Sequence, residues 1–167
     1  MNLYILRHGL AVEPGTPGYA LDADRPLTPK GERKLWQIAE AMAALELSFD
    51  IILSSPYLRA RQTAEIVAEA FKARKKLEFS DSLAPGGSPK KLMEFLDRLK
   101  PAPESVMLVG HEPYLSGLVS LLVSGDASFP VVMKKGGLCK LVIESLESGR
   151  CAELEWLLTP KQLALMA

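Results

Sequence analysis

Apolar residues in this chain follow two spacings. Short runs of strand length stand at LYIL (3–6), DIILSS (50–55) and SVMLV (105–109), each too brief for a helix. Between them the apolar positions recur every three or four residues: Leu35, Ile38, Ala39, Met42 and Leu45, then Tyr57, Ala60, Ala64, Val67 and Phe71, then Leu92, Phe95, Leu96 and Leu99. Each of these stretches is preceded by a hydroxyl residue and a proline, at Thr28 and Pro29, Ser55 and Pro56, and Ser88 and Pro89. A hydroxyl that caps the first free N–H groups, followed by a residue that needs no N–H partner, marks a helix start. The pattern predicts helices over 29–47, from Pro56 and from Pro89, and a further one opened by Pro113 and running to about Leu122.

LEF (77–79) is a possible third strand, and GLCKLVIES (137–145) with CAELEWLL (151–158), separated by ESGR, reads as a hairpin. The segment 10–26, broken by Pro14, Gly15, Pro17 and Gly18, reads as a loop. Strands alternating with helices predict an α/β fold, with a mainly parallel sheet covered on both faces and the hairpin as an antiparallel edge. No solenoid repeat is present, and 1–167 is expected to form a single domain. In open sheets of this type ligands bind beyond the carboxyl ends of the strands.

Those ends carry the unusual residues. Arg7, His8 and Gly9 follow the first strand, SSPYLRARQT with Arg59 follows the second, and Gly110, His111, Glu112 and Pro113 follow SVMLV. Both histidines of the chain therefore fall at equivalent places and are expected to be neighbours. Read singly, His8 is a hydrogen-bonded histidine at a sheet edge, and Arg7 an ion pair with Asp22 or Asp24. Arg59 could be a solvated charge, but a cation in the first turn of a helix opposes the macrodipole unless an anion sits there too. Two guanidiniums, two imidazoles and a helix start would repel one another unless they surround an anion, and they suit a tetrahedral dianion. Arginine's planar fork fits phosphate better than lysine does. A neutral imidazole at His8 would be a competent nucleophile toward phosphorus, and Gly9 would allow close approach of a substrate.

Charge and composition narrow the picture further. Twenty basic residues balance twenty acidic ones, so no broad positive field points to nucleic acid. Cys139 and Cys151 lack metal-site spacing, and reduced thiols are expected. No signal-like start and no apolar run long enough to span a membrane occur, which predicts a cytoplasmic protein without membrane contact, with a monomer as the expected state.

LRHGLA (6–11), DRPLTPKGERK (24–34), SSPYLRARQTAEIVAE (54–69) and VGHEPYLS (109–116) together resemble the histidine phosphatase superfamily, which includes the phosphoglycerate mutases. The short chain, DRPLT and GHEP are most similar to its SixA-type branch of phosphohistidine phosphatases. The motifs span residues 6 to about 116, and the remainder matches by general pattern. The resemblance implies a phosphoglycerate mutase-like three-layer α/β/α sandwich without cofactor or metal. It also implies His8 as the phosphorylated nucleophile, a phosphate pocket of Arg7, Arg59 and His111, and a phosphohistidine-bearing protein as substrate.

One departure bears on that substrate. Larger relatives carry a proton-donating glutamate after the third strand, where this chain reads DSLAPGGSP. An imidazole leaving group needs such help less than an alkoxide does. Asp22, Asp24, Asp81 and Glu112 remain as acids that could fold into the site. The loops are too short for a deep lid, which suits a side chain presented by another protein. Lys134 and Lys135 read either as a solvated turn or as a contact for an acidic partner. The rival functions are a phosphatase for a small metabolite ester and a protein that binds a phosphorylated partner without turnover.

Overall fold

The computed structural model describes residues 1–146 and 149–167. Its centre is a six-stranded sheet built from β1 (Asn2–Arg7), β2 (Ile51–Ser54), β3 (Leu77–Phe79), β4 (Ser105–Gly110), β5 (Leu138–Ile143) and β6 (Ala152–Leu158), in the order β3-β2-β4-β1-β5-β6. The pairs β3/β2, β2/β4 and β4/β1 are parallel, and β1/β5 and β5/β6 antiparallel. Parallel pairing brings the ends of β1, β2 and β4 to one edge, with Arg7 opposite Gly110 and Ser54 opposite Val109. The predicted ESGR connection begins at Glu147 and Ser148, which lie outside the described residues.

The described residues also form five α-helices: α1 (Pro29–Ala44), α2 (Leu58–Ala70), α3 (Pro89–Arg98), α4 (Tyr114–Ser124) and the short α5 (Pro160–Leu163). Side chains of a strand alternate between faces, and here the alternation divides the core in two. Leu3, Ile5, Leu53, Val106 and Leu108 pack toward Leu92 and Leu96 of α3 and Leu115 and Leu118 of α4. Tyr4, Leu6, Ile52, Met107 and Val109 pack toward Leu35, Ile38 and Met42 of α1 and Ala60, Ala64 and Val67 of α2. This is the expected three-layer sandwich, and runs buried on both faces explain why the central strands look uniformly apolar.

Two helix starts follow the hydroxyl-then-proline pattern: Thr28 Oγ accepts from Gly31 N and Ser88 Oγ from Lys91 N. The start at Ser55 does not. There α2 begins at Leu58, because Ser55 Oγ is engaged with His111 and with the N–H of Tyr57. The first helix ends at Ala44, short of 47, and Thr159 and Pro160 open α5 with a capping box that the periodicity did not reveal. Among the described residues no helix is long and apolar enough to cross a membrane.

Candidate active site

Beyond the edge shared by β1, β2 and β4, four side chains meet. The His8 and His111 ring centroids stand 5.1 Å apart. Both rings are buried, 5% and 2% exposed, as is Arg59 at 4%. His8 Nδ1 lies 2.7 Å from Gly9 O, an atom that can only accept, so Nδ1 carries the proton and Nε2 keeps its lone pair. Arg59 Nε donates to that Nε2 at 3.3 Å, which fits the same tautomer.

Arg59 is held from several sides. Its NH1 donates to Asp22 O at 2.7 Å, its NH2 pairs with Asp22 Oδ2 at 2.9 Å, and its guanidinium lies over the Tyr57 ring with 5.4 Å to the centroid. Thr63 Oγ1 accepts from Gly9 N at 3.1 Å and donates to Arg59 O at 2.7 Å, tying the end of β1 to α2. His111 Nε2 is hydrogen-bonded to Ser55 Oγ at 2.8 Å, and the Tyr57 ring meets His111 edge-on at 5.4 Å. Arg7 NH1 donates to Met133 O at 2.8 Å. Among the described residues, Arg7 Nε, His111 Nδ1 and the Tyr114 hydroxyl are buried without a hydrogen-bond partner. A buried polar group left in that state costs about 1–3 kcal/mol.

Burial and the surrounding positive charge set the electrostatics. Desolvation, helped by His111, Arg59 and Arg7 and opposed by the bond to Gly9, pushes the His8 imidazole down to about 3. Desolvation and Arg59 push His111 down to about 3 as well. Both rings are therefore neutral at physiological pH. Desolvation also lowers both guanidiniums, opposed by Glu112 at Arg7 and by Asp22 at Arg59. Burial raises Asp22, but the hydrogen bonds from Arg25 and Arg59 outweigh it and hold the carboxyl below its ordinary range. Cys139, remote from this chemistry, is a buried thiol pushed up to about 12 by desolvation.

The structure thus brings His8, His111 and Arg59 into direct contact range, with Arg7 close enough to influence both rings. The aspartate pairing that Arg7 offered when read singly is made instead by Arg59, with Asp22. That carboxylate answers the mismatch of a cation at the start of a helix. Gly9 also differs in its reason: its N–H is committed to Thr63 and its carbonyl to His8, and a Cβ there would stand 2.6 Å from Leu35 Cδ1. Its missing side chain makes room for α1 and lets its backbone orient His8.

Of the four acids, Asp22 alone bonds a residue of the cluster. Glu112 accepts from Ser116 N at 3.0 Å and Ser116 Oγ at 2.6 Å, while Asp24 and Asp81 are exposed. Arg25 and Thr63 carried no reading of their own from the sequence, and Ser55 and Tyr57 were read only as a helix cap and part of a helix face. Arg25 pairs with Asp22 and donates to Val12 O, closing the loop that carries both residues. Its signal was present in DRPLT, where it was counted only as part of a motif.

A sandwich with two neutral imidazoles and two guanidiniums at its switch edge defines a class, and comparison with known proteins agrees. Residues 3–84 match the histidine phosphatase superfamily (branch 1). The phosphohistidine phosphatase SixA homolog of Haemophilus influenzae is 31% identical over 130 residues, covering 73% of this chain and 77% of that one. Phosphohistidine phosphatase SixA of Escherichia coli is 27% identical over 166 residues, 99% and 98% of the two chains. A solved structure of the protein histidine phosphatase SixA complexed with tungstate superposes with a TM-score of 0.84 at 27% identity, covering 98% of this chain and 99% of that one. The chain belongs to the histidine phosphatase superfamily and is a phosphatase. Within the family its likeness is to the SixA-type branch.

Proposed function

We propose that this chain hydrolyses phosphohistidine on proteins through a covalent phosphoenzyme at His8. The observation that carries the proposal is the fixed His8 tautomer, whose Nε2 lone pair faces Arg59 while Nδ1–H is held by Gly9 O. In the first step that lone pair attacks phosphorus and the phosphorus–nitrogen bond of the substrate breaks. The substrate imidazole carries away the bonding electrons and takes its proton from solvent. The new phosphoimidazole ring is positively polarised, and its Nδ1–H stays hydrogen-bonded to Gly9 O. In the second step water attacks phosphorus, inorganic phosphate departs and the His8 lone pair is restored.

Arg7, Arg59 and His111 would stabilise the charge on the equatorial oxygens, which is the main catalytic demand of phosphoryl transfer. Arg7 Nε and His111 Nδ1, both buried without a partner, are the groups such oxygens would satisfy. Ser55 donating its hydroxyl proton to His111 Nε2 would place the imidazole proton on Nδ1, ready to donate. The incoming phosphoryl group must displace Arg59 Nε from the His8 lone pair. In the related SixA structure the bound ligand is tungstate, a tetrahedral oxyanion of the same shape.

The acids support a nitrogen-linked substrate. Asp22 is held ionised by two guanidiniums, so it is not set to donate a proton to an alkoxide at neutral pH, and the Glu112 carboxylate is engaged by Ser116 N and Oγ. The test compares phosphate release from a phosphohistidine peptide and from an alkyl phosphate, with acid-labile phosphoenzyme measured on wild type and His8→Ala. Faster turnover of the peptide and a phosphoenzyme absent from His8→Ala are expected. Preference for the alkyl ester would favour a metabolite phosphatase, and equal activity in His8→Ala would remove the nucleophile.

A further inference from the structure

A second feature lies against the same edge of the sheet. A groove of about 350 Å³ opens between α1 and the turn before β5, and Arg7, Lys34, Lys134 and Lys135 are its charged lining. Its floor is apolar, from Leu10, Leu35, Ile38 and Pro160. Among the described residues no carboxylate lines it, whereas the cleft around Lys76 and Lys100 includes Asp50, Glu78 and Glu104, and the cleft between α3 and α4 includes Glu94 and Asp97. In a chain whose charges cancel overall, this is a local excess of cations. Among the described residues Lys135 pairs with Glu13 at 3.5 Å, whose side chain is mostly exposed, and Arg7 lies within electrostatic reach of Glu112. The start of α1 carries Lys30, Arg33 and Lys34 against one acid, Glu32, a net positive charge at the end of the helix where the macrodipole favours an anion.

The groove is fixed relative to His8. Gly136 N donates to Arg7 O at 3.0 Å and to His8 O at 3.1 Å, and Arg7 N donates to Gly137 O at 3.1 Å. Gly137 N closes the turn on Lys134 O at 2.7 Å. Gly136 takes a left-handed φ of 79° there, and a Cβ would lie 2.8 Å from Ile38 Cδ1. The opposite wall is tied to the same loop by Thr28 N, which donates to Leu10 O at 2.9 Å. Lys134 and Lys135 are thus carried on a turn bonded directly to the strand end holding Arg7 and His8, while Lys34 lines the groove from α1.

We propose that this groove seats an acidic segment next to the phosphohistidine of the protein substrate, with an apolar side chain on the floor and carboxylates against Lys34, Lys134 and Lys135. The proposal rests on the phosphohistidine reading above and adds a recognition element to it. Shared use of Arg7 places the occupant beside the phosphoryl group, so its charges act mainly on substrate capture and leave the bond-breaking step unaffected.

The test uses two synthetic phosphohistidine peptides, identical except that one has Asp and Glu flanking the histidine and the other Asn and Gln. Wild type and the variant Lys34→Glu/Lys134→Glu are compared on both, and on free phosphoramidate. Wild type should favour the acidic peptide by roughly tenfold in kcat/KM, chiefly through KM, as expected from a few exposed ion pairs. The double variant should lose that preference and keep its turnover of phosphoramidate, which also verifies its fold. Raising the ionic strength should erase the preference of wild type without any substitution. A wild-type enzyme that treats the two peptides alike, or a preference that survives both charge reversal and salt, would overturn the groove while leaving the phosphatase reading intact. Failure of wild type to hydrolyse either peptide or phosphoramidate would overturn the phosphohistidine reading itself, and the groove with it.

Discussion

Acid should destabilise this protein well above the pH at which carboxylates titrate, and the structure gives the size of the effect. The chain has two histidines, and both are held down to about 3 in the fold. In the unfolded chain each would titrate near about 6.5. Between those values the unfolded state binds protons that the folded state refuses, so stability is complete above about pH 6.5 and declines as pH falls. At about pH 5 the loss works out to about 2 kcal/mol per ring, or about 4 kcal/mol for the pair. Asp22 has the opposite displacement, and its contribution is lost only below the ordinary carboxylate range, outside this window. Urea unfolding in buffers free of oxyanions, at about pH 7.5 and about pH 5, measures the effect. With an m value of about 2 kcal/mol/M the midpoint should drop by about 2 M. Either His8→Asn or His111→Asn should halve the drop, and the double variant should abolish it. A wild-type midpoint that moves by less than about 0.5 M would mean that the folded protein protonates its rings readily, and the argument from burial would fail.

Arg59→Ala should lower kcat about 10²- to 10³-fold with a retained circular dichroism spectrum, and near-normal turnover would contradict its place around the phosphoryl oxygens. Vanadate or sulfate at about a hundred times its dissociation constant should add about 2.7 kcal/mol, raising the melting temperature by roughly 5–10 °C, whereas His8→Ala/Arg59→Ala should respond much less. Asp22→Asn should tighten inhibition by inorganic phosphate about threefold to tenfold, because one negative competitor for Arg59 is removed. Weaker inhibition in that variant would instead make Asp22 a support for the guanidinium. Thr63→Val should cost about 1–3 kcal/mol in denaturant unfolding, since Gly9 N loses its acceptor, and an unchanged midpoint would show that this link is dispensable.

The layers and the meeting of the two histidines were legible because both follow from local chemistry. Leu3 to Leu6 and Val106 to Val109 could only be doubly buried strands, and a parallel pair must end on the same side. The start of α1 was legible because Thr28 Oγ1 accepts from Gly31 N, and the bond it donates to Leu10 O at 3.4 Å does not compete with that capping. Ser55 carried the same signature but has a competing partner in His111, which sequence spacing does not reveal. The pairing of Asp22 with Arg25 and Arg59 was hidden for another reason. The loop that holds Asp22 and Arg25 has no periodicity, and its shape comes from closures such as the bridge between Ala11 and Leu27 and the bond from Val12 N to Pro26 O. A loop too short for a lid still lays one carboxylate across Arg59. The lysine groove needed the fold as well, because Lys34 and Lys134 lie a hundred residues apart and line one groove only once α1 and the turn before β5 are placed at the end of β1.

Because Arg7 stands opposite Gly110, the residues after them emerge side by side, and His8 N continues the ladder to Gly110 O at 3.1 Å. Neighbouring strands lie about 4.8 Å apart, so the interval between the imidazoles is inherited from the repeat distance of the sheet and owes little to the side chains around it. Substitutions nearby can alter charge or access without resetting that interval. A slip of one residue between the two innermost strands would turn one imidazole to the opposite side and break the pairing outright. The spacing should accordingly persist through local openings of the surrounding loops and vanish only when the middle of the sheet itself comes apart.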